Sequence, residues 1–244
     1  MNITITTTAI ELGNLAARLV ALKLNEAVNR NGEARMVVST GNSQFEMFQA
    51  LVKEKLDWTK VEIFHLDEYI GLPVTHKASF RKYLYERFIN LVPVKKFHSV
   101  DVEGMIADRI AGLSSGIREK PLDLGLIGIG VNGHIAFNDP PADFEIRDAY
   151  IIVKLDDKCK IQQVDEGWFA TVNDVPDEAV SMSVWQIMQC RTIISVVPHL
   201  VKADAVRKTL TGKVTNRVPA TMLKRHADWH LFLDKNSASE VIPL

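Results

Sequence analysis

The feature that most constrains this chain is a series of short, unbroken apolar runs. Each is followed by a small or polar residue and then by a stretch with helical spacing. Ala34 to Ser39 carries Met36-Val37-Val38 at its centre, Asp123 to Ile129 and Arg191 to Val197 are further apolar strands, and Val61 to Leu66 is a strand in which Glu62 and His65 stand among apolar residues. A strand with one wet face alternates apolar and polar residues, whereas one covered on both faces reads as a continuous apolar run. Four such strands separated by helix-length segments demand a sheet sandwiched between helices, and parallel neighbours are the short-loop solution.

The segments between the runs agree. Ala9 to Asn29 places Leu12, Leu15, Leu19, Leu22, Leu24 and Val28 at helical spacing, and Asn31-Gly32 supplies a stop. Thr40-Gly41-Asn42-Ser43 turns into a helix expected to run to about Leu56, with Ser43 and Glu46 at capping-box spacing. Helices are expected near Ser79 to Asn90, Gly104 to Ile117 and Val201 to Leu210, and Asp177 to Gln189 reads as mostly helical. Tyr150 to Lys154 and Trp229 to Asp234 complete the strands. No linker, repeat or low-complexity stretch divides the 244 residues. The expectation is therefore a single α/β domain over 1–244, Rossmann-like, with a mostly parallel sheet and helices on both faces.

Composition removes other classes. Lys+Arg number 29 against 30 Asp+Glu, so no long-range field draws the chain to nucleic acid or an anionic membrane. No apolar run approaches the roughly 20 residues of a membrane span. Met1 to Asn14 lacks the basic residue of a secretory signal. Cys159 and Cys190 show no metal-ligand spacing and read as reduced thiols of a cytoplasmic protein.

In parallel sheets ligands sit beyond the carboxyl ends of the strands, which directs attention to four polar sequences. Thr40-Gly41-Asn42-Ser43 offers free N–H groups suited to phosphate, or is only a capped helix start. His65-Leu66-Asp67-Glu68-Tyr69 sets two carboxylates at a strand end, where one can serve as a base alpha to a carbonyl or merely cap a turn. Gly128-Ile129-Gly130-Val131-Asn132-Gly133 fits the GxGxxG spacing of a dinucleotide loop. However, it lies halfway along the chain, and His134 to Pro141 does not continue as a helix. It reads better as a loop exposing the His134 imidazole between Asn132 and Asp139, the alternative being a structural histidine. Lys202, after Pro198-His199, faces an anion or simply solvent.

Taken together, these residues resemble the glucosamine-6-phosphate deaminase (isomerase) family along nearly the whole chain. Ser39-Thr40-Gly41-Asn42-Ser43 is similar to its phosphate loop, and Phe64 to Leu72 to its Asp-Glu-Tyr/Trp-x-x-Leu segment. Gly128 to Asn138 is close to its most diagnostic motif. Lys202-Ala203 and Pro219 to His226 are similar to its C-terminal part. The resemblance implies a reaction without cofactor or metal, in which ring-closed glucosamine 6-phosphate is opened, isomerised to the ketose and deaminated to fructose 6-phosphate. It assigns Asp67 the proton shuttle between C2 and C1, and His134 the ring-opening proton transfer. Asn132 and Asp139 flank that histidine, and Thr40, Gly41, Asn42, Ser43 and Lys202 hold the phosphate.

This chain has Asn132 where many members have Asp, and Asp139 where Glu is usual. The expected lid, around 156–175, carries Lys160 as the candidate for a second phosphate-binding cation in place of the family's arginine. The C-terminus is short and looks like the unregulated members, a monomer or small homo-oligomer. Galactosamine 6-phosphate is the alternative substrate within the same chemistry. The related 6-phosphogluconolactonases follow their Gly-His with a Thr-Ala-Ser-Leu pattern, unlike Ile135-Ala136-Phe137-Asn138. A non-catalytic sugar-phosphate sensor would normally need a DNA-binding region for which this chain has no room. The central expectation is geometric: Asp67, His134 and Thr40 to Ser43 must open onto one cleft.

Overall fold

The structure, a computed structural model, describes residues 1–241. The elements in chain order are β1 (Asn2–Thr6), α1 (Ala9–Asn31), β2 (Ala34–Val38), α2 (Phe45–Leu51), β3 (Val61–His65), β4 (Asp67–Tyr69), α3 (Phe80–Arg87), β5 (Lys96–His98) and α4 (Ile106–Arg118). They continue with β6 (Leu124–Leu126), β7 (Tyr150–Lys154), α5 (Asp157–Asp165), β8 (Glu178–Met182), α6 (Val184–Ile187), β9 (Thr192–Val197), α7 (Ala203–Thr211) and β10 (Trp229–Asp234). Seven strands form one sheet in the order β1-β10-β9-β6-β2-β3-β5, every pairing parallel. A small antiparallel sheet, β4-β8-β7, stands at its carboxyl end.

The apolar runs are buried on both sides. Met36 and Val38 pack with Leu12, Val20 and Leu24 of α1 and Phe48 of α2. Val37, the residue between them, packs on the opposite face with Ile117 of α4 and Val206 of α7. Successive strand side chains point to opposite faces, so one unbroken run feeds two cores at once. α1 ends at Gly32, whose φ of 80° is the left-handed conformation that glycine adopts freely.

Four expectations need correction. Asp177 to Gln189 is strand β8 followed by the single turn α6, capped by Ser183. Ala179, Ser181 and their neighbours pair between β4 and β7, and that pairing overrides the weak helical spacing. The helix after Ser43 stops at Leu51, short of Leu56. The Ser43–Glu46 capping box is not formed, because Asn42–Gln44 is a 3-10 turn and the residue preceding α2 is Gln44, without a side-chain cap. The third apolar run is extended only over Leu124–Leu126, and Ile127 to Ile129 already belong to the loop. Strands β4 and β5, of three residues each, are too short to stand out in the sequence, whereas β1 alternates threonine with Ile3 and Ile5, a strand signal that the sequence reading leaves out.

The order of strand addition reverses about β2: strands after it add first toward β5 on one side and then toward β1 on the other. Such a switch point opens a crevice at the carboxyl ends. The four polar sequences follow β2, β3, β6 and β9, which are consecutive in the sheet as β3-β2-β6-β9. Topology alone therefore brings them to one place.

Candidate active site

One cleft at that end is lined by Ser39, Thr40, Gly41, Asn42 and Ser43 after β2, by Asp67 at the start of β4, by Gly130 and His134 after β6, and by Lys202 before α7. The geometric expectation holds. The segment after β7 closes it from above: Gln162 and Gln163 of α5, then Glu166 and Trp168, line the same space.

The two adjacent carboxylates have different work. Glu68 is fully buried and receives the N–H groups of Phe80 (3.1 Å) and Arg81 (2.8 Å), the Ser79 hydroxyl (2.9 Å) and the N–H of Tyr69 (3.0 Å). It anchors the start of α3 and pairs with the Arg81 side chain at 3.4 Å. Burial raises its carboxyl, although these donors oppose the shift. Asp67 faces the cleft instead. Burial, and then the neighbouring Glu68 charge, raise its carboxyl well above the usual range. A carboxylate so raised is a stronger base once it loses its proton, which suits abstraction from carbon.

The loop after β6 is built around His134. The Gly130 N–H donates to the His134 carbonyl at 2.9 Å, and the His134 N–H donates to the Asn132 side-chain oxygen at 3.0 Å. The Asn132 amide in turn donates to Asp139 Oδ1 at 3.0 Å. That carboxylate oxygen stands 2.9 Å from His134 Nδ1, close enough for ion pairing but off line for a hydrogen bond, and Nδ1 has no hydrogen-bond partner. Burial alone would raise the Asp139 carboxyl, but His134, Asn132 and the Asp156 N–H together hold it below its ordinary range. The shorter side chain of Asp139 thus reaches the imidazole directly. Gly130 is required by close approach: a methyl there would lie 2.3 Å from the His134 ring. The Gly133 φ of 82° supplies the turn between them.

The other end of the cleft joins a glycine turn to a buried lysine. Gly41, at φ 105°, precedes the 3-10 turn Asn42–Gln44, whose first amides have no partner within the turn. Tyr83 donates to the Gly41 carbonyl at 2.9 Å, and Gln44 donates to the Val196 carbonyl at 3.1 Å, tying the turn to α3 and β9. Lys202 is only 5% exposed, so the solvated reading does not apply. Burial pushes its ammonium down, and the Glu166 carboxylate and the Cys159 sulfur only partly offset this. A buried ammonium with a weak partner beside free amides has the chemistry to hold an anion.

Lys160 does not join it. The expectation of a lid cation fails because Lys160 leaves α5 on the far side and pairs with Asp177. Glu166 takes the cleft-facing position, held by Gln162 Nε2 (2.6 Å) and Trp168 Nε1 (3.2 Å). Sequence reasoning missed Gln44, Gln162, Gln163, Glu166 and Trp168. For the lid residues the available signal was an amphipathic turn, Cys159 and Gln163 buried at spacing four, bounded by the Asp156 cap and Gly167.

Residues 7–231 match the family described as glucosamine-6-phosphate isomerases/6-phosphogluconolactonase, and the chain belongs to that family. A curated glucosamine-6-phosphate deaminase of Streptococcus uberis is 32% identical over 91% of this chain and 94% of its own length. A solved monomeric glucosamine-6-phosphate deaminase superposes with a TM-score of 0.89 at 26% identity, covering 98% of this chain and 100% of that one. A 6-phosphogluconolactonase from Trypanosoma brucei shares the fold at a TM-score of 0.80 and 17% identity, with 99% and 98% coverage. No helix among the described residues is long and apolar enough to cross a membrane.

Proposed function

We propose that this chain is an amino-sugar phosphate isomerase–deaminase that converts glucosamine 6-phosphate and water to fructose 6-phosphate and ammonia. The observation that carries the reading is the shared cleft, where a raised carboxyl (Asp67), a carboxylate-paired imidazole (His134) and an underpaired buried ammonium (Lys202) face one another. The phosphate lies on the amides of Gly41, Asn42 and Ser43, with the hydroxyls of Thr40 and Ser43 and the Lys202 ammonium around it. His134, oriented by Asn132 and Asp139, takes the proton of the anomeric hydroxyl and returns one to the ring oxygen. Asp67 then moves a proton from C2 to C1, and the C2 nitrogen leaves as ammonia when water adds.

The cleft needs only positioned acids and bases for these steps, each worth roughly 10²–10⁴-fold. Residues 156–175 act as a lid over the sugar: Gln162, Gln163, Glu166 and Trp168 cover the cleft. Two buried free cysteines support a reducing, cytoplasmic setting, and the near-neutral charge supports a small-molecule partner over nucleic acid. The single domain works as a monomer, as its structurally similar relative does.

The test is ammonia release from glucosamine 6-phosphate and galactosamine 6-phosphate side by side, with 6-phosphogluconolactone hydrolysis as a third arm. Ammonia release fastest from the gluco substrate is expected. Faster turnover of the galacto epimer reassigns the substrate, and lactone hydrolysis without ammonia release overturns the reading.

A further inference from the structure

His134 and Asp139 have a third neighbour that the proposed chemistry does not use. Cys159, in the first turn of α5, is 1% exposed and lies against the His134–Asp139 pair from the lid side. One donor atom from each of His134, Asp139 and Cys159 lies within 4.8 Å of the other two. The three come from two separate segments, the loop after β6 and the lid helix. His134 Nδ1 is buried without a hydrogen-bond partner and stands 2.9 Å from Asp139 Oδ1, which also accepts from the Asn132 amide.

We propose that His134, Asp139 and Cys159 form a binding site for Zn2+ whose occupation inhibits the enzyme. Imidazole nitrogen, carboxylate oxygen and thiolate sulfur are the three donor types that zinc takes, and a soft sulfur selects against Mg2+ and Ca2+. Zinc bond lengths of about 2.0–2.3 Å put tetrahedral donors roughly 3.3–3.7 Å apart. The present separations, from 2.9 Å to at most 4.8 Å, close on an ion with shifts of about 1 Å or less. Water from the cleft fills the fourth position. Binding exchanges one proton: the Cys159 S–H bond breaks, the sulfur–zinc bond forms, and H+ leaves to solvent.

Two consequences make the ion an inhibitor, and this part rests on the function proposed above. Zinc takes the imidazole nitrogen and the carboxylate oxygen that orient His134 for proton transfer. It also joins α5 to the loop after β6, which fixes the lid over the cleft.

Cobalt(II) titration of the whole protein, without substrate, tests the site. One equivalent is expected to produce a thiolate-to-cobalt charge-transfer band in the near ultraviolet, displaced by Zn2+ and abolished in both Cys159→Ser and Cys159→Ala. The band is expected to survive in Cys190→Ser, whose sulfur lies against Gly125. In the ammonia-release assay, Cys159→Ser is expected to need at least 10-fold more Zn2+ for half-inhibition than the parent. Absence of the band in the folded parent, or its persistence in both Cys159 variants, overturns the site. Unchanged zinc sensitivity in Cys159→Ser overturns the inhibitory role. The cobalt band is read without turnover, so a failure of the proposed reaction does not disturb it.

Discussion

Gly130→Ala probes the fit between the glycine loop and the imidazole. An ideal methyl at position 130 lies 2.3 Å from Cε1 and Nε2 of His134 and 2.5 Å from Cδ2. Ordinary contact starts near 3.4 Å, so the ring must retreat by about 1.1 Å or more. The Gly130 backbone does not have a positive φ, and its N–H bond to the His134 carbonyl does not involve a side chain. The fold therefore accepts alanine and the strain falls on the ring. Displacement of about 1 Å costs on the order of 10²-fold when geometry limits proton transfer. The expected result is a kcat in ammonia release lowered about 100-fold, with the urea midpoint and the affinity for phosphate nearly unchanged. Gly128→Ala is the internal comparison, because its methyl meets Gln44 and Ser39 at 3.6 and 3.8 Å, ordinary contact distances. Its loss should be at most a few-fold. Gly130→Ala with more than a third of parental activity, or equal losses in the two variants, would refute the assignment of the loop to holding His134.

Asp67→Asn is expected to lower kcat by 10²–10⁴-fold while competitive binding of inorganic phosphate is retained; a variant with near-parental kcat removes Asp67 from the proton path. Lys202→Met is expected to raise KM roughly 10- to 150-fold, the equivalent of about 1.5–3 kcal/mol for a charged hydrogen bond. The same variant should gain thermal stability in phosphate-free buffer, since it relieves a buried ammonium, and a fall in both affinity and stability would contradict that account. His65 is fully buried, and burial, then the Arg81 charge, holds its imidazole at about 3. Its unfolded value is 6.5, so below that pH the unfolded chain binds a proton that the native chain excludes. The His65 contribution to stability is complete above pH 6.5 and is lost as pH drops toward 3, by about 1.4 kcal/mol per pH unit in the middle of that window. Urea unfolding of His65→Gln between pH 6.5 and 4.5 should show a slope shallower by up to one proton, and parallel slopes would exclude His65 as the source.

The central sheet was legible because burial on both faces leaves an unmistakable composition, Met36-Val37-Val38 and Ile193 to Val197 being the clearest cases. Helix ends with explicit chemistry were legible too: Gly32 closes α1, and Ser79 caps α3. What escaped was structure decided by partners distant in sequence. β8 carries Glu178-Ala179-Val180-Ser181-Met182, a sequence neutral between helix and strand, and becomes extended because β4 and β7 offer ladders on both sides. The same holds in the site. Asp67, His134 and Lys202 could be found because a charged or titratable residue just after a buried strand has few structural reasons to be there. Glu166 and Trp168 could not, since a carboxylate and an indole in a polar segment look like ordinary surface until the fold turns that segment over the cleft. Lys160 shows the converse error: a cation at the expected position along the chain leaves the helix on the wrong face and meets Asp177 instead.

The contrast between Asp67 and Glu68 explains why sequence proximity alone is a poor guide to role. The pleat of β4 sends consecutive side chains to opposite sides. On one side Glu68 finds three N–H groups, a hydroxyl and Arg81, all within 3.4 Å, and its charge is absorbed into the start of α3. Asp67, on the other side, receives no such set, so burial and the charge of Glu68 act on it unopposed. The anchoring of one carboxylate thereby raises the other. Lys202 repeats the pattern at the far end of the cleft, where the turn into α7 buries the ammonium without a close counter-ion. A folded protein keeps such uncompensated groups only where something else completes them. In the proposed reaction a phosphate dianion would complete Lys202, and a carbon-bound proton in transit would complete Asp67. On the proposed function, the parts of the cleft that are least stable by themselves are the parts a sugar phosphate would satisfy.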